Sequence, residues 1–93
     1  MFINALSHYL PETVVPNAHF EGLNGLSDDW IVSRTGIQER RKASLQENTN
    51  SMAVEAVRQA LATLPYDVQT IDLIVGATYT PYDTIVSLAH AVQ

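Results

Sequence analysis

The chain has 93 residues, 46% of them hydrophobic and 16% charged, a formal net charge of −5 and no cysteine. That is one small domain too apolar to be disordered and too acidic to suit a nucleic-acid partner, with no disulfide and no thiol nucleophile. Its start has no basic leader with a long apolar core, and no apolar run approaches the roughly 20 residues that span a bilayer, so a cytoplasmic protein with no membrane partner is expected.

Residues 2–9 predict a strand, ended at Leu10-Pro11 because proline cannot continue a central ladder. Val14-Val15-Pro16 predicts a short extended piece, and Asn17 is expected to cap a short helix over residues 18–23. Ser27 opens a second helix signal over residues 28–34. Asp28 and Asp29 favour its positive end, and Gly36 fits a left-handed stop. Trp30 and Arg34 are four apart on it and share a face. Residues 37–42 predict an exposed extended segment and 43–50 a polar loop.

The third helix is the strongest signal. Asn50 or Ser51 would cap it, its apolar face is Ala53, Ala56, Val57, Ala60, Leu61 and Leu64, and Pro65 stops it. Residues 71–78 predict a strand buried on both faces, with Gly76 permitting close backbone approach. A turn at residues 80–83 leads to a further helix over 85–93 that runs out without a terminating signal. The order of elements is α/β. Two strands are too few for a two-sided parallel sheet, which points to a truncated chain.

Most tests for chemistry return nothing. His8, His19 and His90 have no metal-ligand spacing, so no metal site is expected. Gly22 to Gly25 reads as a turn, not a phosphate loop. Asp28-Asp29 reads as a helix start, because adjacent helical residues do not face each other. No serine sits in a nucleophile elbow. What remains is the basic stretch: Arg34, Arg40, Arg41 and Lys42 hold four of the five basic residues, opposed there only by Glu39. With the indole of Trp30 and the hydroxyl of Thr35, it could grip a nucleotide-bearing anion. Equally, Trp30 could pack in the core and Arg34 pair with an acidic neighbour.

The run Ser27-Asp28-Asp29-Trp30-Ile31, Arg34-Thr35-Gly36-Ile37, Glu39-Arg40 resembles the N-terminal signature of the β-ketoacyl-acyl-carrier-protein synthase III family. Tyr9-Leu10-Pro11-Glu12, Val15 with Asn17, Ala53 with Ala56, Ile71 to Val75, Ala77-Thr78, Thr80-Pro81, and Ser87 with Ala89, Val92 and Gln93 extend the likeness over nearly the whole chain. The resemblance implies residues 1–93 as the N-terminal part of a thiolase-like condensing-enzyme domain, a partial first α/β half. It implies acyl-CoA and malonyl-acyl carrier protein as substrates, no resident cofactor, and a homodimer. It places Trp30, Arg34 and Thr35 at coenzyme A, and Arg40, Arg41 and Lys42 at the carrier protein. Tyr79 and Ile85 fall at the acyl pocket or dimer interface. Leu26 and Val86 depart from the family pattern. The catalytic cysteine, histidine and asparagine would lie beyond residue 93, so this chain alone is expected to be inactive. A related synthase of secondary metabolism, and a non-catalytic module that binds coenzyme A or carrier protein or dimerises, are the alternatives.

Overall fold

Two short strands, β1 (Thr13–Pro16) and β2 (Glu39–Lys42), form an antiparallel pair in a computed structural model that describes Met1–Gln93. The register sets Thr13 opposite Lys42, Val15 opposite Arg40 and Pro16 opposite Glu39. In a two-stranded sheet both strands are edges, which is where a proline is tolerated. The pair belongs to one of two units, Pro11–Ser44; the other joins Met1–Leu10 to Leu45–Gln93.

Between the strands of the first unit lie a 3-10 turn at Asn17–Phe20 and helix α1 (Asp28–Thr35). The expected cap and stop of α1 are both present. The Ser27 hydroxyl accepts from the Trp30 N–H at 3.2 Å. Gly36 closes the helix at φ 70°, with its N–H on the Val32 carbonyl at 2.8 Å. Only glycine adopts that conformation without steric cost, so Gly36→Ala is expected to destabilise the first unit by about 1 kcal/mol, read as a lowered thermal midpoint by circular dichroism.

Asn17 does not cap a helix. It is the first residue of the 3-10 turn, whose cap position is Pro16 without a side-chain bond. Its side chain is drawn inward by partners from elsewhere in the unit and is only 2% exposed. The one buried hydrophobic residue of the chain is Ile31 on α1.

In the second unit, α2 (Thr49–Thr63) starts two or three residues earlier than its sequence suggested. Asn48 is the cap. Its side chain accepts from the Ser51 N–H while the Ser51 hydroxyl accepts from the Asn48 N–H, both at 2.9 Å. Ser51 is therefore the third helical residue of a reciprocal capping box. The helix ends before Pro65 as expected, and all six residues of its predicted apolar face are half-buried. Helix α3 (Leu88–Val92) packs against it and is shorter than residues 85–93. The Asp83 carboxylate accepts from the Ile85 N–H at 2.8 Å, holding that backbone in a turn, so the helix begins only after Ser87.

Residues 2–9 and 71–78 are not strands here. A strand is completed by a neighbour's backbone, and neither segment pairs with another in this chain. Residues 2–9 are tied instead by side chains, the Ser7 hydroxyl to the Ala56 carbonyl and the Tyr9 hydroxyl to the Glu47 carboxylate. The segment over 71–78 leaves Leu73 78% and Val75 82% exposed, so the burial expected on both faces is absent. Gly76 does permit the close approach expected of it: a Cβ there would stand 2.9 Å from the Ala89 nitrogen at the start of α3. Accessible surface totals 7868 Å², where a folded monomer of this mass keeps about 5,400 Å². No helix is long and apolar enough to cross a membrane.

Candidate docking site on the first unit

Helix α1 presents the indole and guanidinium that the sequence singled out. Trp30 is 45% exposed, which excludes the core reading. Ile31, one residue further round the helix, takes the buried position instead. The Arg34 guanidinium carbon lies 5.0 Å from the Trp30 ring centroid, within cation–π range. Arg34 makes no ion pair with an acidic neighbour; the chain's salt bridge is Arg58 to Glu55 on α2. One face of the indole therefore carries a positive charge, and the residue is nearly half exposed. Base stacking and a charge-assisted bond to an anion are the two interactions such a pair offers.

Thr35 is placed beside this pair but serves the backbone. Its hydroxyl donates to the Ile31 carbonyl at 2.7 Å and accepts from the Ile37 N–H at 3.1 Å. A hydroxyl has one proton, and here that proton is already engaged. Thr35 shapes the end of α1 and has only a lone pair left for a ligand.

The basic run divides in the same way. Arg40 is half-buried on β2, donating to the Val15 carbonyl at 3.3 Å and to the Asn17 Oδ1 at 2.7 Å. Its guanidinium carbon also sits 4.7 Å from the Phe20 ring centroid. Arg40 thus faces its own unit, with its charge held in place, rather than forming part of an open basic surface. Arg41 donates to the Pro11 carbonyl at 2.9 Å, and Arg41 and Lys42 are exposed. Those two carry the free positive surface of the strand pair.

Tyr79 and Ile85 belong to the second unit, are 104% and 91% exposed, and are not among the residues lining its groove. The groove that this unit does form is lined by Val57 and Leu61 of α2, Val92 of α3, and Ile71, Leu73 and Val75. No group of three or more histidine, aspartate or glutamate side chains is gathered to hold a metal ion.

The residue that sequence reasoning undervalued is Asn17. Its neighbours in sequence suggest a local cap, whereas its partners Asp28, Ile37 and Arg40 lie 11, 20 and 23 residues away. No local signal reports such bonds.

No protein-family model matches the chain. It is 48% identical over 90 residues to a β-ketoacyl-acyl-carrier-protein synthase III from a Jannaschia species, covering 95% of this chain and 28% of that protein. Identity is 51% over 85 residues to the enzyme of the same name from a Bradyrhizobium species, covering 91% of this chain and 26% of the relative. The crystal structure of β-ketoacyl-acyl-carrier-protein synthase III from Thermus thermophilus superposes on 100% of this chain with a TM-score of 0.86 and 42% identity, and the match takes in 29% of that chain. The chain spans little more than a quarter of the length of the relatives it matches. Its mixed α/β elements are those of the N-terminal portion of the solved synthase, as the sequence implied.

Proposed function

We propose, for a chain homologous to the N-terminal part of β-ketoacyl-acyl-carrier-protein synthase III, that it serves as the coenzyme A docking segment of such a synthase. The whole enzyme would move an acyl group from acyl-CoA to a cysteine. It would then condense that group with malonyl-acyl carrier protein as CO2 leaves, starting fatty-acid synthesis. The chain has no cysteine, and the histidine and asparagine of that chemistry would be supplied elsewhere in the enzyme, so this chain alone would be inactive.

The observation that carries this reading is the exposed Trp30 with Arg34 stacked beside it on α1. Trp30 would take the adenine face and Arg34 a phosphate, while Thr35 holds the turn that presents them. Arg41 and Lys42 would meet the acidic carrier protein, and Arg40 would support them from below. Tyr79 and Ile85, bare in this chain, would wall the acyl pocket or the dimer interface once covered. A cytoplasmic homodimer is part of the same proposal.

Trp30 is the only tryptophan, so its emission is a direct probe. Titrating the chain with coenzyme A is expected to quench that emission to saturation, and adenosine 3′,5′-bisphosphate is expected to compete. Adenosine lacking phosphates is expected to bind more weakly, because it gives Arg34 nothing to hold. Unchanged emission, together with no retention of coenzyme A in equilibrium dialysis, would refute the docking role.

A further inference from the structure

Asn17 is almost completely buried, and its amide is bonded on both sides. The Nδ2 group donates to the Asp28 carboxylate and to the Ile37 carbonyl, each at 2.7 Å. Oδ1 accepts from the Arg40 guanidinium at 2.7 Å. The backbone N–H of Asn17 donates to the Gln38 carbonyl at 3.2 Å. The asparagine side chain offers two donors and an acceptor in one plane, on a shorter stem than glutamine's. An aspartate would set its charge against Asp28, and an apolar residue would remove the bonds to Asp28, Ile37 and Arg40 together.

The partners themselves give these bonds their significance. Asp28 is the first residue of α1, and Ile37 lies just past Gly36, where α1 has ended. Arg40 is on β2. One amide therefore holds both ends of the segment bearing Trp30 and Arg34, and ties it to the strand pair. The helix has only eight residues and buries only Ile31, so apolar packing alone holds its rotation weakly.

We propose that Asn17, acting through Asp28 and Arg40, is a positioning residue that sets the orientation of α1 and so of the Trp30–Arg34 pair. The proposal rests on the docking reading for what the pair is for, and on the geometry alone for how it is held. Asn17 itself touches no ligand in this scheme.

The test uses the exposed end of the network, so that folding is preserved. Asp28→Asn keeps an oxygen facing the Asn17 amide, whereas Asp28→Ala does not; both lose the same charge at the helix start. Asp29→Ala, at the next position and outside the network, controls for that charge. Two quantities are read on the 93-residue chain: acrylamide quenching of Trp30 without ligand, and affinity for adenosine 3′,5′-bisphosphate. Asp28→Ala is expected to raise quenching and to weaken the nucleotide roughly threefold to tenfold, the effect of one lost hydrogen bond. Asp28→Asn and Asp29→Ala are expected to stay near the unsubstituted chain in quenching. If Asp28→Ala and Asp28→Asn quench alike, the positioning role is overturned, whether or not nucleotide binds. If quenching separates them while the unsubstituted chain binds no nucleotide, the positioning role stands and the docking reading is the one that fails.

Discussion

Incubated with acyl-CoA and malonyl-acyl carrier protein, the purified chain is expected to release no CO2 above a protein-free control. The condensation needs a nucleophile that can hold an acyl group as a thioester, and the ionised thiolate is the reactive form of cysteine. The chain has no cysteine at all. Its hydroxyls do not replace one. Ser7 and Thr35 donate their protons to the backbone carbonyls of Ala56 and Ile31, and no histidine is bonded to either. Developing negative charge on the thioester oxygen also needs preorganised donors, and none are assembled around a nucleophile here. The shortfall against a complete synthase is therefore expected to be roughly a millionfold or more, the scale of enzymatic acceleration itself. Labelled malonyl groups and counting of released CO2 make the measurement. Turnover that survives further purification and follows the chain through every fraction would show that a nucleophile other than cysteine is at work.

The docking reading predicts binding without turnover, and this separation reflects how the sequence could be read. Features set by near neighbours were legible. Ser27 caps α1, Gly36 stops it with a left-handed residue, Pro65 limits α2, and the six-residue face of α2 is the half-buried one. Each depends on residues three or four positions away. The strands over 2–9 and 71–78 were written with the same apolar pattern as a true strand, yet neither is one here, because sheet hydrogen bonds come from a partner chain segment. Leu73 and Val75 carry that apolar pattern and are 78% and 82% exposed. The cap of α2 was misplaced by two or three residues because Asn48, Asn50 and Ser51 are all good capping residues. Only the reciprocal bonds between Asn48 and Ser51 distinguish them.

At the site, spacing revealed the pair but not its surroundings. The four-residue interval placed Trp30 and Arg34 on one face, and exposure then decided between core and surface. Arg40 looked like its neighbours Arg41 and Lys42 in the sequence. It alone on β2 is half-buried, where the Val15 carbonyl, the Asn17 amide and the Phe20 ring receive its charge. Thr35 likewise looked like a free hydroxyl until its two backbone partners were seen. A basic cluster in sequence is thus two things in space: an internal tie at Arg40 and an open surface at Arg41 and Lys42.

Replacing Trp30 with alanine is expected to weaken coenzyme A binding by about 5- to 150-fold while leaving the fold intact. Stacking of a base on an aromatic side chain contributes roughly 1–3 kcal/mol, which converts to that range of affinity. The cost to stability should be much smaller. A buried tryptophan lost to alanine removes about 3–5 kcal/mol, but Trp30 is 45% exposed and no cavity would be sealed behind it. Its backbone N–H, which meets the Ser27 hydroxyl, is unaffected by the change. Trp30→Phe keeps a smaller aromatic face for both the base and the Arg34 guanidinium, so its affinity should fall between those of the alanine variant and the unsubstituted chain. Arg34→Ala separates the two halves of the grip: it should weaken coenzyme A more than dephosphorylated adenosine, whereas Trp30→Ala should weaken both. Because the alanine and phenylalanine variants lose the chain's only indole, affinity has to be measured by calorimetry or dialysis rather than by emission. A fall in thermal midpoint with coenzyme A affinity unchanged would return Trp30 to a structural role. A fall in affinity with the midpoint held makes α1 the nucleotide-facing element of the chain.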